Sequence, residues 1–273
     1  MTATADGDVS AHEDLALIGE VVRVAGRLAL DRRAFGLKIE RKADGSPVTD
    51  GDLAVDALLQ RELLQARPHY AWLSEETPDD LCRLGAGRVF IVDPIDGTTA
   101  YVRGKPWFAV SVAVVQAGRP VAGVVFAPAL DEFYAAVEGG GASCNGDPIR
   151  ASEACRLEDC AMLAPAHTFD GRRWTRAWPA MRVGQRSALA YRMALVAAGR
   201  FDAAVSMGWK NDWDIAAGDL IAREAGAVSC DQNGRPLMFN TQLARNPGLV
   251  CAAPGVAPLI LDRTAPIEQP AGV

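Results

Sequence analysis

Histidine is nearly missing from this 273-residue chain, which contains only His12, His69 and His167. His12 falls in a polar opening stretch expected to be disordered. The other two sit beside proline or turn residues, away from any acid or nucleophile motif. A Ser-His-Asp mechanism and a zinc site of two or three histidines are therefore poorly supported. The six cysteines show no C-x-x-C spacing, and "MTATADGDVSAHED" is acidic and polar where a secretory leader would be basic and then apolar. Free buried thiols in a cytoplasmic protein are the expectation. No segment approaches about 18 uninterrupted apolar residues, so no membrane span is expected. Lys and Arg form no block and the net charge is −6, which argues against a nucleic-acid surface and leaves only a small anionic partner. Whatever chemistry takes place must rest on carboxylates, hydroxyls and backbone.

What is present is an ordinary globular balance, 49% apolar and 23% charged, enough for one large domain or two smaller ones sharing an interface. Residues 13–34 carry helical apolar spacing, with Leu15, Ile18, Val22, Ala25 and Leu28 on one face. After the basic stretch "KIERKADGSPVTD", Asp50 and Asp52 precede a second helix that Pro68 stops. "YAWLSEE" reads as a short strand running into two glutamates, and "RVFIVD" as a buried strand. Residues 108–146 hold β-branched runs broken by Ala-Gly-Arg-Pro, Ala-Pro and a glycine triplet, which predicts an antiparallel meander. Beyond about residue 150 the pattern changes. "CAMLAPA" and "AAVSM" read as strands; "SALAYRMALVAAGRF" and "DWDIAAGDLIAREAGA" read as helices. The chain is thus expected to be α/β in the α+β sense, with halves at 1–150 and 151–273, no flexible linker, and a disordered tail from about residue 264.

Four acidic features begin or end these elements: Asp52, Glu75 with Glu76, Asp93 with Asp96, and Asp214. Asp214 could be a helix N-cap, Glu75–Glu76 a solvated loop, and Asp50 and Asp52 simple helix starters. The stretch "VFIVDPIDGTTAYV" is harder to explain that way. Pro94 pulls Asp93 into an extended conformation, and Gly97 permits a tight turn. Two carboxylates held at the end of a buried strand repel unless a cation neutralises them. Oxygen ligands without histidine select a hard ion such as Mg²⁺, and the amides after Gly97 would face an anion as a helix N-terminus does. Together these parts describe metal-assisted hydrolysis of a phosphate ester, with Thr98 and one further acid orienting the water.

The stretches "DPIDGTTAYV…PWFAVSVAV" and "WDIAAGDLIAREAGA" resemble the two signature motifs of the inositol monophosphatase family, over about residues 13–255. The resemblance implies a layered α-β-α-β-α sandwich of the inositol monophosphatase/fructose-1,6-bisphosphatase type, a homodimer, and a lithium-sensitive phosphomonoesterase using two or three Mg²⁺ ions. It implies metal ligation by Glu75, Asp93, the Ile95 carbonyl, Asp96 and Asp214, and water positioning by Thr98 and Asp52. Phosphate would rest on the backbone of Gly97, Thr98 and Thr99. Glu76 is expected to face solvent. Lys42 matches a lysine that could attract phosphate, or is one cation of a solvated basic loop.

The departures concern the leaving group. Where inositol monophosphatases commonly carry a glutamate that holds the inositol ring, "AAVSMGWKNDWD" offers Ser206, with one extra residue before Asp214. A hydroxyl cannot make a carboxylate's charge-assisted bonds. Trp209, Lys210 and Asn211 could contact substrate or simply pack and solvate. "NGRPLMFNTQLARNPGLV" is more like the bisphosphate nucleotidase branch, whereas the first motif is closer to the inositol phosphatase form. Inositol monophosphate is the first expectation, adenosine 3′,5′-bisphosphate the second, and histidinol phosphate or fructose bisphosphate weaker ones. A non-catalytic relative binding metal or sugar phosphate is the competing class.

Overall fold

Ser10 accepts a hydrogen bond from the Glu13 amide at 3.2 Å, and Glu13 accepts one from the Ser10 amide at 2.8 Å. This capping box starts α1 (Ala11–Phe35). The structure, a computed structural model, describes residues 9–169, 174 and 176–265. His12 therefore lies in a helix, not in a disordered opening. A hairpin follows, β1 (Ile39–Arg41) with β2 (Pro47–Thr49). The next helix, α2 (Asp50–Ala66), starts earlier than expected. Asp50 and Asp52 belong to its first turn because Thr49 is the cap, its hydroxyl accepting from the Gly51 and Asp52 amides at 3.1 and 3.3 Å.

A seven-stranded sheet then forms in chain order: β3 (Ala71–Ser74), β4 (Arg88–Asp96), β5 (Ala109–Gln116), β6 (Arg119–Ala127), β7 (Glu132–Val137), β8 (Gly141–Cys144) and β9 (Asp147–Pro148). The meander is antiparallel as predicted; β3 and β4 alone pair in parallel. A single-turn helix, α3 (Thr98–Val102), bridges β4 and β5. The remaining chain supplies β10 (Ala161–Leu163), β11 (Arg182–Gly184), α4 (Leu189–Ala197), β12 (Ala203–Asn211), α5 (Asp212–Glu224), β13 (Val228–Cys230), β14 (Arg245–Ala252) and α6 (Ala257–Thr264). Its five strands order as β11-β10-β12-β14-β13.

Side-chain alternation sorts the apolar strands into layers. Phe90, Val92, Val110, Val112, Val114 and Phe126 form one core with Ile18 and Val22 of α1 and Leu59 of α2. Val89, Ile91, Ala113 and Val125, one residue out of phase, face α4 and α5, which also cover Ala204, Leu249 and Cys251 of the second sheet. The other face of that sheet, Met162, Val205 and Val250, packs on Ile260 of α6. The result is the expected α-β-α-β-α order. The helix layer between the sheets sits close: a Cβ on Gly123 of β6 would lie 3.2 Å from the Ala217 Cα of α5.

Of the elements not foreseen, which include β1, β2, β11 and β13, two run against local sequence signals. Pro247 and Gly248 interrupt the apolar pattern of β14, yet Pro247 pairs with Trp209 beside a register shift, where a missing amide is tolerated. The second, α6, carries proline near its start and reaches Thr264, which is buried and donates to the Gln232 carbonyl at 2.8 Å. The rest of the expected tail, residues 266–273, lies outside the described residues. All six thiols are free, but Cys82 and Cys155 are exposed rather than buried. Among the described residues no helix is long and apolar enough to cross a membrane.

Candidate active site

Parallel pairing of β3 with β4 sets Ser74 opposite Val92, and the Glu75 amide continues the ladder to the Val92 carbonyl at 3.2 Å. Glu75 and Asp93 thereby leave neighbouring strands at the same end. Asp93 and Asp96 are three residues apart, and a regular strand would send them to opposite faces. A one-residue bulge corrects this: Asp93 pairs with Ser111 and Asp96 with Ala109, so both acids point toward α4 and α5. Pro94, which cannot donate to the ladder, sits within that bulge.

The helices of the middle layer begin at these acids. Asp96 accepts from the Leu189 amide at 2.7 Å and the Tyr191 amide at 3.2 Å, closing the first turn of α4 from 93 positions away. Asp214 stands in the first turn of α5, where Asn211 is the N-cap, and accepts from the Asn211 amide at 3.1 Å. The N-cap alternative for Asp214 therefore falls to Asn211. Asp93 accepts from the Ile95 amide at 3.0 Å. Glu75, Asp93, Asp96, Asp214 and Thr98 all line one cavity of about 270 Å³.

Burial dominates the electrostatics. It raises Asp93 well above the usual carboxylate range, with Glu75, Asp96 and Asp214 adding repulsion. It lifts Asp96 to about 7 and Asp214 to about 6, against the amide bonds that pull the other way. Asp52, at the start of α2, is also raised by burial. Its Oδ2 accepts from the Thr49 amide at 2.9 Å, and its Oδ1 lies 3.0 Å from the Thr98 hydroxyl. The same hydroxyl is 3.2 Å from the Ile95 carbonyl. The Tyr101 hydroxyl, in the same motif, donates to Ala29 of α1 at 2.6 Å and anchors α3.

Several expectations need correcting. Glu76 does not face solvent; its side chain is 5% exposed and accepts from Lys42 Nζ at 2.8 Å. Burial lifts it to about 7, the Lys42 bond working against that rise. Lys42 is no solvated loop cation either, since it also bonds Glu75 at 2.7 Å. Burial opposes its charge, but Glu75 and then Glu76 outweigh this and push it up to about 12. The extra residue before Asp214 is absorbed by a register shift between Ser206 and Trp209 within β12, not by a loop. Ser206 is buried in the cavity wall and Lys210 lines it, while Trp209 lies outside beneath the Arg245 guanidinium, 4.8 Å from the ring centre.

Arg192 was missed. It lines the cavity from α4, a helix buried along its whole length. Its signal was available: one arginine inside the otherwise apolar "ALAYRMALVAA". Burial lowers its pKa, opposed by Asp96 and Asp214. Burial likewise lowers that of Lys210, opposed by Asp214.

The inositol monophosphatase family matches residues 11–265. The chain belongs to this family. An inositol-1-monophosphatase of Rhizobium meliloti is 38% identical over 217 residues, covering 74% of this chain and 80% of its own. The Nus factor SuhB of Escherichia coli is 31% identical over 255 residues, covering 88% and 94%. Among solved structures, the IMPase of Thermotoga maritima superposes with a TM-score of 0.80 at 29% identity, over 92% of this chain and 96% of that one. Membership makes the chain a phosphoric monoester hydrolase and agrees with the five layers described above.

Proposed function

We propose that the chain hydrolyses a small phosphate monoester with water activated by Mg²⁺. The observation that carries this reading is the meeting of Glu75, Asp93, Asp96 and Asp214 in one cavity with the Thr98–Asp52 pair. The donor set suits a hard divalent ion: every acid supplies oxygen, and no histidine lines the cavity. Among the described residues no three such side chains are already drawn together around an ion position, and each of three acids accepts from a protein donor: Glu75 from Lys42, Asp93 from the Ile95 amide, Asp96 from the Leu189 amide. Glu75, Asp93, the Ile95 carbonyl, Asp96 and Asp214 are the residues that would hold the ions. When bound, Mg²⁺ supplies a more acidic water and offsets charge on the phosphate oxygens.

The protein's own part is positional. Asp52, fixed by Thr49, orients the Thr98 hydroxyl, whose proton points to Asp52 or to Ile95 and whose free lone pair can then accept from the attacking water. The amides of Gly97, Thr98 and Thr99 lie where the first turn of α3 leaves donors without intrahelical acceptors, and serve the phosphate. Both halves, 1–150 and 151–273, contribute acids, so neither is complete alone. A cytoplasmic homodimer inhibited by lithium accompanies this reading.

The relatives' names put inositol monophosphate first, and a Thermotoga maritima relative, 42% identical over 153 residues, is named for both fructose 1,6-bisphosphate and inositol 1-phosphate. Ser206 at the inositol-holding position keeps adenosine 3′,5′-bisphosphate in view. The SuhB relatives raise a binding role as the rival class; retention of every metal-site acid favours catalysis. Phosphate release should be measured on inositol 1-phosphate, adenosine 3′,5′-bisphosphate, histidinol phosphate and fructose 1,6-bisphosphate, with and without Mg²⁺. Mg²⁺-dependent release from at least one is expected; none from any would sink the reading.

A second test needs no substrate. Asp96 and Asp214, raised to about 7 and about 6, hold protons in the folded chain that the unfolded chain has already lost. In the cation-free protein this contribution to stability is lost as pH rises from roughly 4 toward 7. Mg²⁺ competes with those protons. The Mg²⁺-induced rise in Tm is therefore expected to be larger at about pH 7.5 than at about pH 5.5. An equal rise at both would show that these carboxyls do not take the ion.

A further inference from the structure

Arg192 and Lys210 are the two cations of the cavity that the hydrolytic chemistry does not use. Arg192 is 6% exposed, and its Nε and one terminal guanidinium nitrogen, Nη1, are buried without a hydrogen-bond partner among the described residues. Leaving such a group unpaired is expensive, far more so than leaving it in water. The nearest acids do not satisfy it. Asp96 gives its oxygens to the Leu189 and Tyr191 amides, Asp214 accepts from Asn211, and neither closes an ion pair with Arg192. Lys210 is half-buried and likewise enters no ion pair among the described residues. Both line the same cavity as Ser206, the position that departs from the inositol-holding glutamate.

A carboxylate there would accept hydrogen bonds from a neutral polyol. The combination present offers the opposite: a planar fork of donors, a point charge and a short hydroxyl. Such a set suits an anion, because guanidinium and ammonium groups bind phosphate or carboxylate oxygens with charge-assisted bonds. The metal-side acids already account for the scissile phosphate, and Arg192 and Lys210 come from α4 and β12, apart from the α3 amides that would face it.

We infer that the leaving alcohol carries a second phosphate, which Arg192 and Lys210 bind with Ser206. This rests on the hydrolase reading and narrows its substrate class to bisphosphate esters.

The test compares esters that share a scaffold and differ by one phosphate: adenosine 3′-phosphate against adenosine 3′,5′-bisphosphate, and inositol 1-phosphate against inositol 1,4-bisphosphate. The readout is the ratio of kcat/KM, bisphosphate over monophosphate, with Mg²⁺ present. A ratio of about ten or more is expected in at least one pair, the scale of one charge-assisted contact. Arg192→Gln and Lys210→Gln should each lower that ratio about tenfold, with Arg192→Lys keeping part of it. If Arg192→Gln does not fold, Lys210→Gln decides.

Ratios near one in both pairs, or ratios unmoved in the variants, would overturn the inference while leaving the hydrolase intact. An equal loss on mono- and bisphosphates would assign Arg192 to the scissile phosphate or to the acids, and also overturn it. Absence of release from every ester would remove the hydrolase reading itself.

Discussion

Asp93→Asn is expected to lower Mg²⁺-dependent phosphate release by about a thousandfold or more, the scale seen when a preorganised electrostatic group is lost from an active site. The same variant should fold and, without Mg²⁺, be at least as heat-stable as the parent. Asp93 is 2% exposed, and its neighbours Glu75, Asp96 and Asp214 all push its pKa up after burial itself. Removing that charge relieves repulsion, and the amide oxygen of Asn can still accept from the Ile95 amide. Activity and stability therefore move in opposite directions. A structural acid would show the reverse: lost stability with activity preserved in the folded fraction. Near-normal turnover in Asp93→Asn would remove the metal-holding role.

Gly97→Ala is expected to destabilise the protein by roughly 2–3 kcal/mol, the sum of a left-handed backbone penalty and crowding. Gly97 has φ +88°, and a Cβ placed there would stand 3.0 Å from both the amide nitrogen and the Cβ of Ala188. Ala188 immediately precedes α4, the helix whose first amides bind Asp96. The added methyl cannot be accommodated by a rotamer change, since one of its contacts is backbone. Either the end of β4 or the start of α4 must shift, which loosens the Asp96 bonds. The check is a denaturant titration of both proteins beside kcat. A variant with parental stability would show that this contact is not tight.

Two of the acids were legible because physical cost marked them. Two carboxylates at the end of an apolar strand need a reason, which singles out Asp93 and Asp96; Glu75 and Asp214 had ordinary loop and N-cap readings and joined them only through the family resemblance. Glu76 was misplaced because its partner Lys42 lies 34 positions upstream, across a hairpin that local pattern cannot fold back. Arg192 is hidden in the pattern because Leu189, Met193 and Val196 alone satisfy the helical period and leave its position free to face solvent; burial of α4 on every side is a tertiary fact. The bulge that turns Asp93 and Asp96 to one face follows from Pro94 only once β5 is known to pair there. Pro247 hid β14 for the complementary reason, a breaker residue tolerated at a register shift.

The central claim is that these four acids gather divalent cations. A crystal grown with Mn²⁺, its anomalous scattering mapped, tests it most directly. The account predicts peaks in the cavity, within coordinating distance of Asp93 and at least one of Glu75, Asp96 and Asp214, with Lys42 moved off Glu75. A cavity without a peak, Lys42 still on Glu75, would contradict it.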